Sequence, residues 1–197
     1  RFVHVSTDYV FDGRRRQPYI TSDCPQPINV YGASKAMGET QASMAHPDTH
    51  IVRVASLFGT AGASGKGGNF VETMIRLARG KGAVRVVDDM AMSPTYTADA
   101  AEMILRLLER GAVPGIYHAV NSGQATWYEF ACEIIARVGI AARVEPITSG
   151  EYPTVARRPA YSVLDNSSVM TATDYAPHWS DALRRYLIAK GHITSMQ

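Results

Sequence analysis

Cysteine is scarce, with two in 197 residues. Cys24 and Cys132 stand far apart and neither belongs to a metal-type pair, which excludes a disulfide framework and a cysteine-built metal centre as the basis of the fold. Both read as reduced thiols, and that suggests a cytoplasmic setting. Long apolar runs are lacking as well. No stretch approaches the roughly 20 residues a membrane-spanning helix needs, and the start has no secretory pattern, so no membrane partner is expected. Charge of one sign is also lacking: 20 Lys and Arg against 18 Asp and Glu leave +2. Nothing in that balance attracts nucleic acid, and no nucleic-acid partner is expected. The one basic run, Arg14-Arg15-Arg16, follows Asp12-Gly13 and reads as a solvated turn. An initiator Met is missing too. The chain opens with Arg1 inside an apolar run, and the expectation is a fragment whose upstream part is absent.

What is present supports a substantial core, since 46% of the residues are hydrophobic. The pattern predicts a strand at 2–6, a turn-rich loop through Pro27, and a helix from Asn29, a good cap, to Met44. A strand over 50–58 follows, then a glycine-rich segment, a helix over 69–79 and a strand over 84–89. A helix from Thr97 to Arg110 carries Ala101, Ile104, Leu105 and Leu108 at helical spacing. Further elements are a strand over 115–121, helices over 127–138 and 179–190, and a short strand at 143–147. Strands separated by helices of this length imply a doubly wound parallel α/β sheet. Ligands in such sheets bind at the carboxyl ends of strands. Ser6 and Thr7 come at one such end, and Ser56 at another.

Tyr31 and Lys35 are four apart at the start of the first helix, on one face and roughly 5–6 Å from each other at Cβ. A free phenol has a pKa of about 10, too high for proton transfer at neutral pH, and a fixed cation beside it favours the phenolate. That is the adjustment general acid–base work needs. Thr7, ending the preceding strand, can hold a substrate oxygen while Tyr31 delivers its proton.

Other constellations compete. Gly59, Gly62 and Gly65 have dinucleotide-fingerprint spacing, with Asp88 about where a ribose-binding carboxylate belongs. Lys66-Gly67-Gly68 lengthens that loop, however, and the helix starts only after Asn69, so a plain loop is the alternative. His46 and His50 flank Pro47-Asp48 without a third ligand, and no metal is expected there. Trp127, Tyr128 and Phe130 head a helix whose apolar face reads as core. Arg157-Arg158 in a Pro-rich loop suit a bidentate grip on pyrophosphate, although surface arginines are common.

STDYVFDG, NVYGASKAMGE, RVVDDMAMSPTY, GIYHAVNSG, WYEFA and YPTVARRPAYSVLDN occur in one order. Together they resemble the dTDP-4-dehydrorhamnose reductases of the extended short-chain dehydrogenase/reductase family. The resemblance implies a Rossmann-like fold with a small C-terminal substrate-binding lobe. Residues 1–120 would be the later part of the NAD(P)-binding domain with interleaved lobe segments, and 121–197 mainly the lobe and a terminal helix. It implies NADPH or NADH reducing the 4-keto group of dTDP-4-dehydro-L-rhamnose to give dTDP-L-rhamnose. The catalytic set falls on Thr7, Tyr31 and Lys35, with Tyr31 and Lys35 also meeting the cofactor. The dTDP-sugar would be held by Thr7, Asp8, Tyr9, Ser56, Arg157 and Arg158. Some such reductases form a homodimer through a divalent ion, Mg2+.

Two departures from the family pattern shape the expectations. The family's fingerprint lies upstream of the Tyr-x-x-x-Lys, in a part missing here, so this chain alone is expected not to bind cofactor or turn over. Where the family shows R-T-S-W, this sequence has Arg53-Val54-Ala55-Ser56, and lost aromatic contact implies weaker selectivity for a 6-deoxyhexose or another nucleotide sugar. Two further readings stand beside the reductase: a non-catalytic subunit resembling the regulatory β subunit of methionine adenosyltransferase, and an epimerase or dehydratase, against which Val10-Phe11 counts.

Overall fold

The apolar opening run becomes strand β1 (Phe2–Thr7). Helix α1 (Val30–Ala45) starts at Asn29, whose side chain accepts the Gly32 N–H, and returns the chain to β2 (Thr49–Val54), parallel to β1 with Thr7 opposite Val54. This computed structural model describes residues 1–61 and 68–194. The glycine-rich segment weighed as a fingerprint, Gly62, Gly65 and Lys66 included, lies outside the described residues.

β2 is shorter than the strand over 50–58 that the sequence predicts. It ends at Val54, because Ser56 takes a left-handed backbone (φ 42°) that no strand accommodates. The turned chain forms β3 (Leu57–Phe58), which pairs in parallel with β6 (Thr95–Tyr96). Helix α2 (Phe70–Lys81), capped by Asn69, is closed by Gly82 at φ 66°. Beyond it, β4 (Ala83–Val87) pairs in parallel with β9 (Arg143–Ile147). β5 (Ala91–Met92) meets β8 (Ala125–Thr126) in antiparallel fashion. These parallel pairs joined through helices make the chain a Rossmann-like α/β fold.

Helix α3 (Thr97–Glu109) buries Ala100, Met103 and Leu107, while Leu105 is 53% exposed. Its rotation follows Asp99, which is buried and accepts hydrogen bonds from Arg185, Asn121 and Tyr175, all at 2.7 Å. Strand β7 (Gly115–His118) then completes the central sheet in the order β1-β2-β7. Helix α4 (Trp127–Val138) opens on a reciprocal cap between Thr126 and Glu129. The short α5 (Ser167–Thr173) has too few residues to show a periodic signal, and α6 (Trp179–Ala189) closes the chain.

The largest core joins α2, α4 and α6 around Phe58, Ile75, Phe130, Ile134, Leu183 and Tyr186. Burying each such side chain is worth about 1.5–3 kcal/mol relative to exposure. A second cluster, Val52, Val54, Met103, Leu107 and Val169, packs α3 and α5 on the central sheet. Among the described residues no helix is long and apolar enough to cross a membrane.

Candidate functional site

The carboxyl end of β1 gathers the titratable groups. Thr7 is the last strand residue and caps a single 3-10 turn, Asp8–Val10: its Oγ1 accepts the Tyr9 N–H at 3.2 Å and donates to Asp8 Oδ1 at 3.0 Å. Asp8 is 3% exposed. Burial pushes its carboxyl up to about 6, opposed by the Ser162 and Thr7 hydroxyls. Its Oδ2 has no hydrogen bond of regular geometry. Burial also raises the Tyr9 phenol, and the Arg158 guanidinium pulls it the other way.

α1 reaches this turn because residue 32 is glycine. A Cβ there would stand 2.0 Å from the Tyr9 carbonyl oxygen. The close approach puts the Tyr31 ring edge-on to Tyr9 at 6.0 Å, with Tyr31 still 55% exposed. One turn along, Lys35 Nζ donates to the Val5 carbonyl at 2.6 Å. Another turn along, Glu39 anchors the helix to the sheet: Arg53 binds it through two hydrogen bonds, 2.9 and 2.7 Å, with both side chains buried. The Ser6 hydroxyl donates to the same carboxylate.

The structure thus brings Thr7, Asp8, Tyr9, Tyr31 and Lys35 to one edge of the sheet. No direct hydrogen bond links Thr7, Tyr31 and Lys35 among the described residues. Ser56 lies at the neighbouring strand end, two residues past the Val54 that pairs with Thr7, and its carbonyl accepts the Thr95 N–H at 3.3 Å. Arg157 and Arg158 part company. The Arg157 carbonyl accepts Asn29 Nδ2 at 2.9 Å and its side chain is exposed, whereas Arg158 lines a cleft.

That cleft, of about 320 Å3, is what sequence reasoning missed. Phe70, Met74 and Leu77 of α2, Trp127 of α4 and Val86 of β4 form an apolar wall, and Arg85 and Arg158 bring positive charge. Phe70 and Trp127 lie 4.7 Å apart at their ring centroids. Phe130 is fully buried in the core, and Trp127, part-buried on the first turn of α4, packs against that same core while its other side lines the cleft. The position of Trp127 just inside a capped helix start was the available signal. An aromatic and apolar wall with two guanidiniums suits a flat heterocycle linked to phosphate.

The model of the family described as RmlD substrate binding domain matches residues 1–191. Spore coat polysaccharide biosynthesis protein SpsK of Bacillus subtilis is 43% identical over 187 residues, 95% of this chain and 64% of the relative. dTDP-4-dehydrorhamnose reductase of Mycolicibacterium smegmatis is 40% identical over 185 residues, 92% of this chain and 55% of the relative. Among solved structures, dTDP-4-dehydrorhamnose reductase from Bacillus anthracis in complex with NADP superposes with a TM-score of 0.87 at 38% identity, covering 95% of this chain and 65% of that one. The chain thus spans between about half and two thirds of the length of these relatives.

Proposed function

Because the chain belongs to the RmlD substrate binding domain family, we propose that the whole protein reduces the 4-keto group of dTDP-4-dehydro-L-rhamnose to dTDP-L-rhamnose with NADPH or NADH. The observation that carries this is the convergence of Thr7, Tyr31 and Lys35 at the carboxyl end of β1, with the arginine and aromatic cleft opening at Arg158 beside Tyr9. Names of relatives such as dTDP-4-dehydrorhamnose reductase point the same way.

In this reading Tyr31 is the proton donor to the forming alkoxide, and its exposure leaves the phenol open to substrate. Lys35 commits one of its three ammonium N–H groups to Val5, which leaves two for a ribose beside Tyr31. Those residues fit the ribose end of a nicotinamide dinucleotide, which when bound supplies the hydride. Arg158, with Arg85 on the same cleft, would hold the diphosphate, and Phe70 and Trp127 would take the base. Asp8 and Tyr9 complete the sugar side, and Ser56 offers a small side chain there that admits other dTDP-hexoses. The lobe built from α2, β4, α4, β9 and α6 would be the substrate half. We place the reaction in the cytoplasm and allow a homodimer.

NADPH oxidation with dTDP-4-dehydro-L-rhamnose, measured on the protein at its full natural length, tests this. Tyr31→Phe should lower kcat by about 100-fold or more. Retention of rate by that variant would remove the proton-donor role and favour a binding subunit.

A further inference from the structure

Lys35 and Glu39 sit one helical turn apart on α1, and their head groups reach consecutive residues of β1. Lys35 Nζ donates to the Val5 carbonyl, and Glu39 Oε1 receives the Ser6 hydroxyl. Opposite charges at this spacing attract and commonly pair. Here they stay apart: among the described residues the carboxylate forms its ion pair with Arg53, and the ammonium forms none.

The reason lies in β2. Arg53 stands between Ser6 and His118 in the strand register and is 1% exposed. Its Nε and Nη2 donate to the two Glu39 oxygens at 2.9 and 2.7 Å. A carboxylate has about four acceptor positions, and with the Ser6 hydroxyl added three are taken. The Phe11 ring, 5.0 Å from the guanidinium carbon, walls it in. His118 adds no second cation to the row, since burial, with the Arg53 charge adding to it, lowers it to about 4.

We propose that Arg53 is a positioning residue that keeps the Glu39 carboxylate occupied, so that the charge of Lys35 stays available to the Tyr31 phenol. This inference rests on the reductase reading above and extends its machinery to a buried pair set back from the reacting atoms. Tyr31, Lys35 and Glu39 follow one another at four-residue steps on one face of α1, so the ammonium stands between the phenol and the carboxylate. Which neighbour it answers decides how good a proton donor Tyr31 is. A Glu39 released by Arg53 would draw the ammonium along the helix, and the phenol would hold its proton more tightly.

The groups facing this stretch of α1 are His4, Arg53 and His118 from the sheet, with Asp8 and Tyr9 from the turn after β1 and Arg158 acting on Tyr9. Burial lowers His4, Lys35 adds to that and Glu39 opposes it, so both helix charges are felt at one point of β1. Both histidines are neutral in the range where a phenol titrates. Asp8, raised by burial to about 6, is anionic there and contributes a constant charge.

The test uses the protein at its full natural length. Tyr31 is titrated by NMR with ring-labelled tyrosine, the Tyr31→Phe variant identifying its signal, and NADPH oxidation with dTDP-4-dehydro-L-rhamnose is followed over the same pH range. In Arg53→Met the Tyr31 titration and the alkaline limb of kcat/KM should both move up by about one pH unit, with kcat lowered about tenfold. Arg53→Met combined with Glu39→Leu should return both to their wild-type pH, although more of the buried pair is gone. Loss of packing alone gives no reason for the titration to rise in the single variant and recover in the double. Should Arg53→Met fail to fold, Arg53→Lys replaces it: one ammonium lacks the fork that holds both oxygens, and a smaller upward shift is expected. An unmoved titration in the folded single variant, or a shift in the double variant equal to that in the single, would overturn the proposal. Full activity of Tyr31→Phe would instead overturn the reductase reading, whereas an inactive Tyr31→Phe beside an unmoved Arg53→Met titration would sink only the role given to Arg53.

Discussion

Asn29 joins two halves of the candidate site with one side chain: Oδ1 accepts the Gly32 N–H at 2.8 Å, and Nδ2 donates to the Arg157 carbonyl at 2.9 Å. The first bond starts the helix that carries Tyr31 and Lys35. The second holds the loop that carries Arg158.

Asn29→Asp keeps the cap and loses the donor, while Asn29→Ala loses both. Removing the cap should cost about 1 kcal/mol in urea unfolding, seen in the alanine variant and largely restored in the aspartate one. Affinity for dTDP, measured by calorimetry, should fall in both. Unchanged dTDP affinity in Asn29→Asp would show that the arginine loop does not need this tether.

Gly32→Ala places a methyl 2.0 Å from the Tyr9 oxygen and 3.0 Å from the Pro27 Cβ. Backbone must yield, and overpacking of this kind costs about 1–3 kcal/mol. The thermal midpoint should drop and the Tyr9–Tyr31 ring contact should open, which aromatic proton shifts would report.

Glu39 and Arg53 form a pair in which both partners are buried. Glu39→Ala leaves the guanidinium uncompensated and should cost about 3–5 kcal/mol. Arg53→Met combined with Glu39→Leu should cost far less in the same denaturation series, because the apolar pair leaves no charge behind.

His118 and Asp8 respond to acid with opposite signs. Burial, with the Arg53 charge adding to it, lowers His118 from 6.5 to about 4, so its contribution is complete above pH 6.5 and is lost as pH falls toward 4, by up to about 3 kcal/mol. Asp8 is raised from 3.8 to about 6, so acidification across nearly the same window favours the folded form by a similar order. Wild-type stability should look flat there. His118→Gln should become more stable relative to wild type on acidification, and Asp8→Asn less so; parallel curves for all three would refute the assignment.

Much of this was legible from residues. Asn29 and Asn69 announce their helices because a side-chain acceptor must meet orphan N–H groups, and the alternation of strand and helix implied parallel pairing. The Tyr31–Lys35 spacing fixed a shared helix face before any fold was known. The break at Ser56 was not legible, since serine carries no preference for a left-handed backbone that would distinguish position 56 from a strand interior. Nor was the cleft. Its walls come from α2, β4, α4 and the loop at Arg158, and only tertiary packing makes neighbours of Phe70 and Trp127. The facing side of α3 escaped the apolar pattern for a related reason: Asp99, a charged residue, turns inward because Arg185 waits there.

The grip of Arg185 on Asp99 spans 86 positions. During synthesis the carboxylate of α3 leaves the ribosome several seconds before its counter-ion, at the usual pace of about 5–20 residues per second. Until α6 arrives, seating α3 would strand a charge in apolar surroundings. Docking of α3 on the central sheet is therefore completed only once Arg185 of α6 has emerged.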